Sequence, residues 1–164
     1  MKQLIKIVIF SAIAMLITSP DLNYCYGLDN DRPVIVEQNE HLIDVSCFVF
    51  SNDGRYALTG TYNIDDRSKS MSLWNMSNGY VKKILTDHTG DINLVNFSPD
   101  GKYFLSVSYD TTMKLWDFTT TEELRTFTGH TDSIKSAVFS PDGKYILSVS
   151  YDKSVKLWEV NTGI

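Results

Sequence analysis

Histidine, serine and aspartate, the three residue types that together can hydrolyse an amide or ester, recur in this chain at matched spacings. They stand at His88, Ser106 and Asp110, and again at His130, Ser148 and Asp152. A serine nucleophile needs a histidine to take its proton, an acid to orient the imidazole and donors for the oxyanion, all at one accessible cleft. Each member of the second set follows its counterpart by 42 positions. Duplication at a fixed period suits a structural unit better than a catalytic one, so no catalytic residue is expected here. Asn63, Asp65 and Asp66 offer oxygen ligands for calcium, but their segment lacks the central glycine and terminal glutamate of an EF-hand loop. Cys25 and Cys47 form no CxxC pair, and Cys47 sits in an apolar run where a free thiol packs as a small hydrophobe. Neither a metal nor a cofactor is expected.

The elements that position these residues repeat with them. Phe97-Ser98-Pro99-Asp100-Gly101-Lys102-Tyr103, then Tyr109-Asp110 and Lys114-Leu115-Trp116, return as Phe139 to Tyr145, Tyr151-Asp152 and Lys156-Leu157-Trp158. A unit of about 40–45 residues is the period of a four-stranded propeller blade. One strand precedes each histidine (Val34 to Val36, Val81 to Leu85, Leu124 to Phe127) and three follow it. Ser-Pro-Asp-Gly closes the first of the three: proline presets one corner, aspartate accepts a backbone bond and glycine takes positive φ. Asn52-Asp53-Gly54 fills that place in the first repeat, which carries five extra residues between Phe50 and Trp74 and so predicts a protruding loop over 62–68. Tyr62, Tyr109 and Tyr151 precede the next turn in all three repeats. They are either an exposed aromatic edge for a partner or packing between blades.

On these residues the chain resembles the WD-repeat β-propeller family over about residues 33–164. Glu40-His41, Asp87-His88 and Gly129-His130 stand where that family has Gly-His, and Trp74-Asn75, Trp116-Asp117 and Trp158-Glu159 stand at its Trp-Asp. The resemblance implies an all-β fold of three four-stranded blades (about 33–76, 80–118 and 123–160), an incomplete propeller in one chain. It also implies a hydrogen-bonded tetrad in each blade: His88, Ser106, Asp110, Trp116 and His130, Ser148, Asp152, Trp158, with Ser108 and Ser150 as alternative serines. In the first repeat Asn63 or Asp65 has to replace the turn aspartate. The resemblance implies that the tyrosines fall on that family's usual binding face.

The chain has 164 residues, 43% of them hydrophobic, enough for one domain with a core. A net charge of −5 with dispersed lysines argues against nucleic-acid binding. Residues 1–27 have the parts of a secretory signal, with Lys2 and Lys6 ahead of an apolar run from Ile7 to Ile17. That run is short for a bilayer span. Residues 28–32 read as a polar connector. The expectation is an exported, non-enzymatic scaffold for protein partners, extracytoplasmic if the leader is cleaved and membrane-anchored if it is not. A truncated fragment, a propeller enzyme or ligand-binding domain with a channel site, and a head-to-tail homodimer that closes a six-bladed ring are the other readings.

Overall fold

The structure, a computed structural model, describes residues 24–29, 32–37, 44–62 and 70–164. These residues form β1 (Tyr24–Asp29), β2 (Arg32–Glu37), β3 (Asp44–Phe50), β4 (Tyr56–Tyr62), β5 (Met71–Asn75), β6 (Tyr80–Leu85), β7 (Ile92–Phe97), β8 (Tyr103–Ser108), β9 (Met113–Asp117), β10 (Glu123–Phe127), β11 (Ile134–Phe139), β12 (Tyr145–Ser150) and β13 (Val155–Glu159). The fold is all-β, and the strands sort into three antiparallel blades, β3-β4-β5-β6, β7-β8-β9-β10 and β11-β12-β13, and a separate β1-β2 pair. The strand before each of His88 and His130 closes the blade that precedes that histidine, so a blade is offset by one strand from the sequence repeat. Leu28 and Asp29 end β1 and Arg32 opens β2, so most of the segment read as a connector is strand: Leu28 pairs with Pro33 and Asp29 with Arg32, while Cys25 to Gly27 pair with the β-branched run Val34 to Val36. Most of the expected leader (1–23) and most of the expected loop (63–68, with Asn63, Asp65 and Asp66) lie outside the described residues.

The first turn of each blade explains why that blade folds locally. Ser98 O accepts from Gly101 N at 2.9 Å. The Ser98 hydroxyl donates to Asp100 Oδ1 at 2.7 Å and accepts from Tyr103 N at 3.0 Å. Gly101 sits at φ +70, where a side chain strains the backbone. Ser140 to Tyr145 and Ser51 to Tyr56 repeat these bonds, so the turn survives the loss of proline at Asn52. Asn52 serves elsewhere: its Nδ2 donates to Ser98 O and Pro99 O of the next blade at 3.1 and 2.9 Å.

Blades stack face to face. Leu58, Met71 and Leu73 of the first blade are buried with Val95, Phe97, Phe104 and Trp116 of the second. Leu105, Met113 and Leu115 of the second are buried with Ala137, Ile146 and Trp158 of the third. Trp116 stacks on Phe104 with ring centroids 5.9 Å apart. Covering both faces erases the in/out alternation: Phe104 to Ser108 in β8 are buried without a break, whereas in β12, with nearly the same sequence, Tyr145 to Ser148 alternate exposed and buried.

The seam between the first two blades passes at Gly60, where an added Cβ falls 2.5 Å from Ile92 Cγ2 and 2.7 Å from the half-buried Cys47 Sγ. Gly60→Ala is expected to destabilise the fold by about 1–3 kcal/mol through overpacking, measured by urea unfolding. A loss within about 0.5 kcal/mol contradicts so tight a seam.

Candidate functional site: buried tetrads and an exposed tyrosine edge

His88 reaches the second blade from the loop after β6, Ser106 comes from the middle of β8, Asp110 from the β8–β9 turn and Trp116 from β9. Trp116 Nε1 donates to Ser106 Oγ at 2.9 Å, Ser106 Oγ lies 2.8 Å from His88 Nε2, and His88 Nδ1 lies 2.7 Å from Asp110 Oδ2. The third blade repeats the chain through Trp158, Ser148, His130 and Asp152 at 2.8, 2.8 and 2.7 Å. The tryptophan N–H has only donor character, so the serine oxygen accepts from it and turns its own hydrogen to Nε2; Nδ1–H then donates to the carboxylate. All four groups are satisfied in a buried setting, which makes each one costly to remove.

The turn holds the carboxylate from several sides. Asp110 accepts from Thr89 N at 3.0 Å, from the Thr112 hydroxyl at 2.6 Å and from Thr112 N at 3.0 Å. Thr131 and Ser154 do the same for Asp152. Burial alone raises the Asp110 carboxyl, but the bonds from His88, Thr112 and Thr89 and the attraction of His88 outweigh it and hold the group well below the usual carboxylate range. The Ser154 hydroxyl is the largest influence on Asp152, which is held low as well, against burial and with help from His130 and Thr131. The hydroxyls of Thr112 and Ser154 were missed in the sequence, although both stand two residues after the turn aspartate.

This arrangement does not offer a nucleophile. Ser106 and Ser148 are 0% exposed, and both hydroxyls are occupied by tryptophan and histidine. Ser108 and Ser150, the alternative serines, accept from Asp110 N and Asp152 N and so shape the turn instead. In the first blade Trp74 Nε1 donates to Thr59 Oγ1 at 2.9 Å, so a threonine takes the serine's place. Thr59 lies nine residues after Phe50, as Ser106 lies nine after Phe97, a signal hidden when counting back from Trp74 across the five extra residues. His41, Asn63 and Asp65 lie outside the described residues. Among the described residues no cluster of three or more His, Cys, Asp or Glu is placed to hold a metal ion.

Tyr109 and Tyr151 emerge beside the tetrad turns, 41% and 56% exposed. Their backbones are fixed: Tyr109 N donates to Asp91 O and Tyr151 N to Ser133 O, both at 3.0 Å, and the Ser133 hydroxyl donates to Tyr109 O at 3.1 Å. The rings are thus carried on pinned turns one blade apart. Tyr62 ends β4, and its side chain lies outside the described residues.

Antiparallel sheets of three or four strands stacked face to face, two of them tied by a Trp–Ser–His–Asp chain, have the architecture of β-propeller blades. Residues 34–75, 79–117 and 121–159 each match the WD domain, G-beta repeat, and the chain belongs to that family. It is 34% identical over 102 residues to a guanine nucleotide-binding protein subunit beta of Dictyostelium discoideum, covering 54% of this chain and 28% of that protein. It is 31% identical over 80 residues to periodic tryptophan protein 2 of Arabidopsis thaliana, covering 49% of this chain and 8% of the relative. The match therefore spans less than a third of either relative.

Ser106→Ala leaves a buried indole N–H and an imidazole nitrogen without partners and is expected to cost about 2–4 kcal/mol in urea unfolding, whereas Ser108→Ala costs less than half as much. Equal losses at the two sites contradict the tetrad's share. Acid gives an independent check. The unfolded chain takes up protons near the ordinary aspartate value of 3.8, while folded Asp110 and Asp152 resist them. Their stabilisation is therefore complete above about pH 5 and drains away as the pH falls towards 2. Asp110→Asn is expected to flatten the loss of stability between those limits; an acid limb as steep as the wild type's counts against the assignment.

Proposed function

We propose that this chain is a non-enzymatic protein-binding scaffold, exported through its amino-terminal leader, that presents Tyr109 and Tyr151 to a protein partner. The observation that carries the reading is the pairing of two exposed tyrosines with rigid, hydrogen-bonded turns one blade apart. Such rings offer large apolar area with a polar tip, and the pinned backbone reduces the entropy lost on binding. Membership of the WD-repeat family supports the scaffold role, as does likeness to a protein whose name makes it a subunit of a larger assembly. The buried tetrads supply rigidity and leave recognition to the edge. Export rests on Lys2, Lys6 and the apolar run that follows. Cleavage after Gly27 falls within β1, so the mature chain retains only Leu28 and Asp29 of that strand.

Affinity capture from the source cells, with and without Tyr109→Ala/Tyr151→Ala, tests the scaffold role. The double variant is expected to lose about tenfold or more of the partner while its urea midpoint stays within error of the wild type. Undiminished capture by the variant removes the tyrosine edge from the proposal. Amino-terminal sequencing of the natural protein tests export: a start near Leu28 is expected, and a start at Met1 in a soluble cytoplasmic protein overturns it.

A further inference from the structure

The turn between β5 and β6 is built like its counterparts in the other two blades, yet it carries a dipeptide that they do not. Gly79 N donates to Asn75 O at 2.9 Å, and Thr121 N to Asp117 O and Gly163 N to Glu159 O, both at 2.8 Å. All three donors take positive φ, at 71, 59 and 81. The residue before each of them offers a side-chain oxygen to the residue after it: Asn78 Oδ1 accepts from Tyr80 N at 3.1 Å, Thr120 Oγ1 from Glu122 N at 3.3 Å and Thr162 Oγ1 from Ile164 N at 3.4 Å. Threonine thus does twice what Asn78 does once. The amide nitrogen of Asn78 is surplus to the turn.

That amide has chemistry of its own. Asparagine is a labile side chain, and Asn78 is the one asparagine of the chain followed by glycine, which has no Cβ to hinder the approach of its backbone nitrogen to the neighbouring amide. We propose that Asn78 is a site of spontaneous deamidation, held shut by the hairpin turn and released when that turn opens. Gly79 N attacks Asn78 Cγ: the N–Cγ bond forms, the Cγ–Nδ2 bond breaks, and the proton of the Gly79 amide leaves with ammonia. A five-membered succinimide results. Water then opens the ring at either carbonyl, which leaves an aspartate side chain on the ordinary backbone or routes the backbone through the side-chain carbon as isoaspartate. Water is the one co-reactant.

Two bonds hold the reaction back. Asn78 is exposed, but Gly79 is buried and its N–H is spent on Asn75 O, so the nitrogen keeps its proton; Tyr80 N meanwhile fixes the direction of the Asn78 carbonyl. Both must break before the ring can close. The turn lies just beyond Asn75 and Tyr80, the last pair between β5 and the blade's outer strand β6, and such ends open at far less cost than the whole domain. Isoaspartate adds one carbon to the backbone ahead of Gly79 N, so the nitrogen no longer falls where it can reach Asn75 O. The lesion therefore acts on β6, which buries Leu85, sets Lys82 Nζ 5.2 Å and 5.8 Å from the ring centroids of Tyr56 and Phe118, and sends Lys83 to Thr121 O. At its other end this strand leads into His88.

Peptide mass spectrometry of the purified chain tests the proposal, after parallel incubation in neutral buffer and in unfolding concentrations of guanidinium. The tryptic fragment 70–82 holds both Asn75 and Asn78, so Asn75 is an internal control. Asn78 is expected to convert ahead of Asn75 in the unfolded chain, and about tenfold more slowly or less in the folded one. Converted chains returned to native buffer are expected to unfold at lower urea than fresh protein. Asn78→Thr installs the residue that the other blades use, and it is expected to abolish conversion and keep the wild-type midpoint before and after incubation. Conversion of Asn78 no faster than that of Asn75 in the unfolded chain overturns the site, and equal rates for Asn78 in folded and unfolded chains overturn the gate. A converted chain with the midpoint of fresh protein, or an equal fall in incubated Asn78→Thr, overturns the effect on β6.

Discussion

A single hydroxyl oxygen in the middle of each complete tetrad, Ser106 or Ser148, is the contact on which the blade depends. It accepts from a buried indole and donates to a buried imidazole, joining β9 or β13 to β8 or β12 and, through the histidine, to the loop from the preceding blade. A tryptophan N–H in an apolar interior has no water to fall back on, so this bond fixes where the strand can lie. A one-residue slip of β9 against β8 carries Trp116 to the opposite face and leaves its indole N–H unpaired. The tetrad thus acts as a register lock, while the stacked rings of Trp116 and Phe104 supply apolar burial.

Polar clamps set how one blade meets the next. Asn52 bonds the turn of the second blade, and Asn93 and Asn96 bond the β11 backbone of the third. On the outer side Lys83 donates to Thr121 O at 3.4 Å, and Arg125 grips Thr162 O and Asn161 O at 2.8 and 2.7 Å. Dispersion and the hydrophobic effect are non-directional, and alone they allow neighbouring blades to slide. Directional donors on both sides of each seam remove that freedom. The tyrosine turns inherit the same precision, because Ser133 ties the second-blade turn to the third blade.

Much of this was legible because each element is announced by residues with a local job. The Ser-Pro-Asp-Gly turns, the strands they separate and the tetrad spacings recur at one period, and the structure brings those residues within hydrogen-bonding distance. What escaped has a physical reason in each case. Thr59 was hidden because the five extra residues shift the count from Trp74 without shifting the count from Phe50. β1 lacks a repeat to announce it, and its Tyr-Cys-Tyr-Gly run reads equally well as the end of a leader. Exposure was the least legible property. Leu105 and Leu147 occupy nearly identical local sequences, yet one is sealed and the other open, since burial is decided by the neighbouring blade and not by the strand that carries the residue.

The first blade keeps the indole end of the lock with a different residue. Thr59 keeps the bond to Trp74, and Thr61 donates to Ser70 O at 2.9 Å and so tethers the strand ends that flank the inserted segment. Threonine supplies the same hydroxyl as serine, and its branched side chain suits an extended backbone. The substitution therefore preserves the donor and acceptor pattern at the indole while the turn beyond it changes length. What the three blades share under the tryptophan is a hydroxyl, whether serine or threonine carries it.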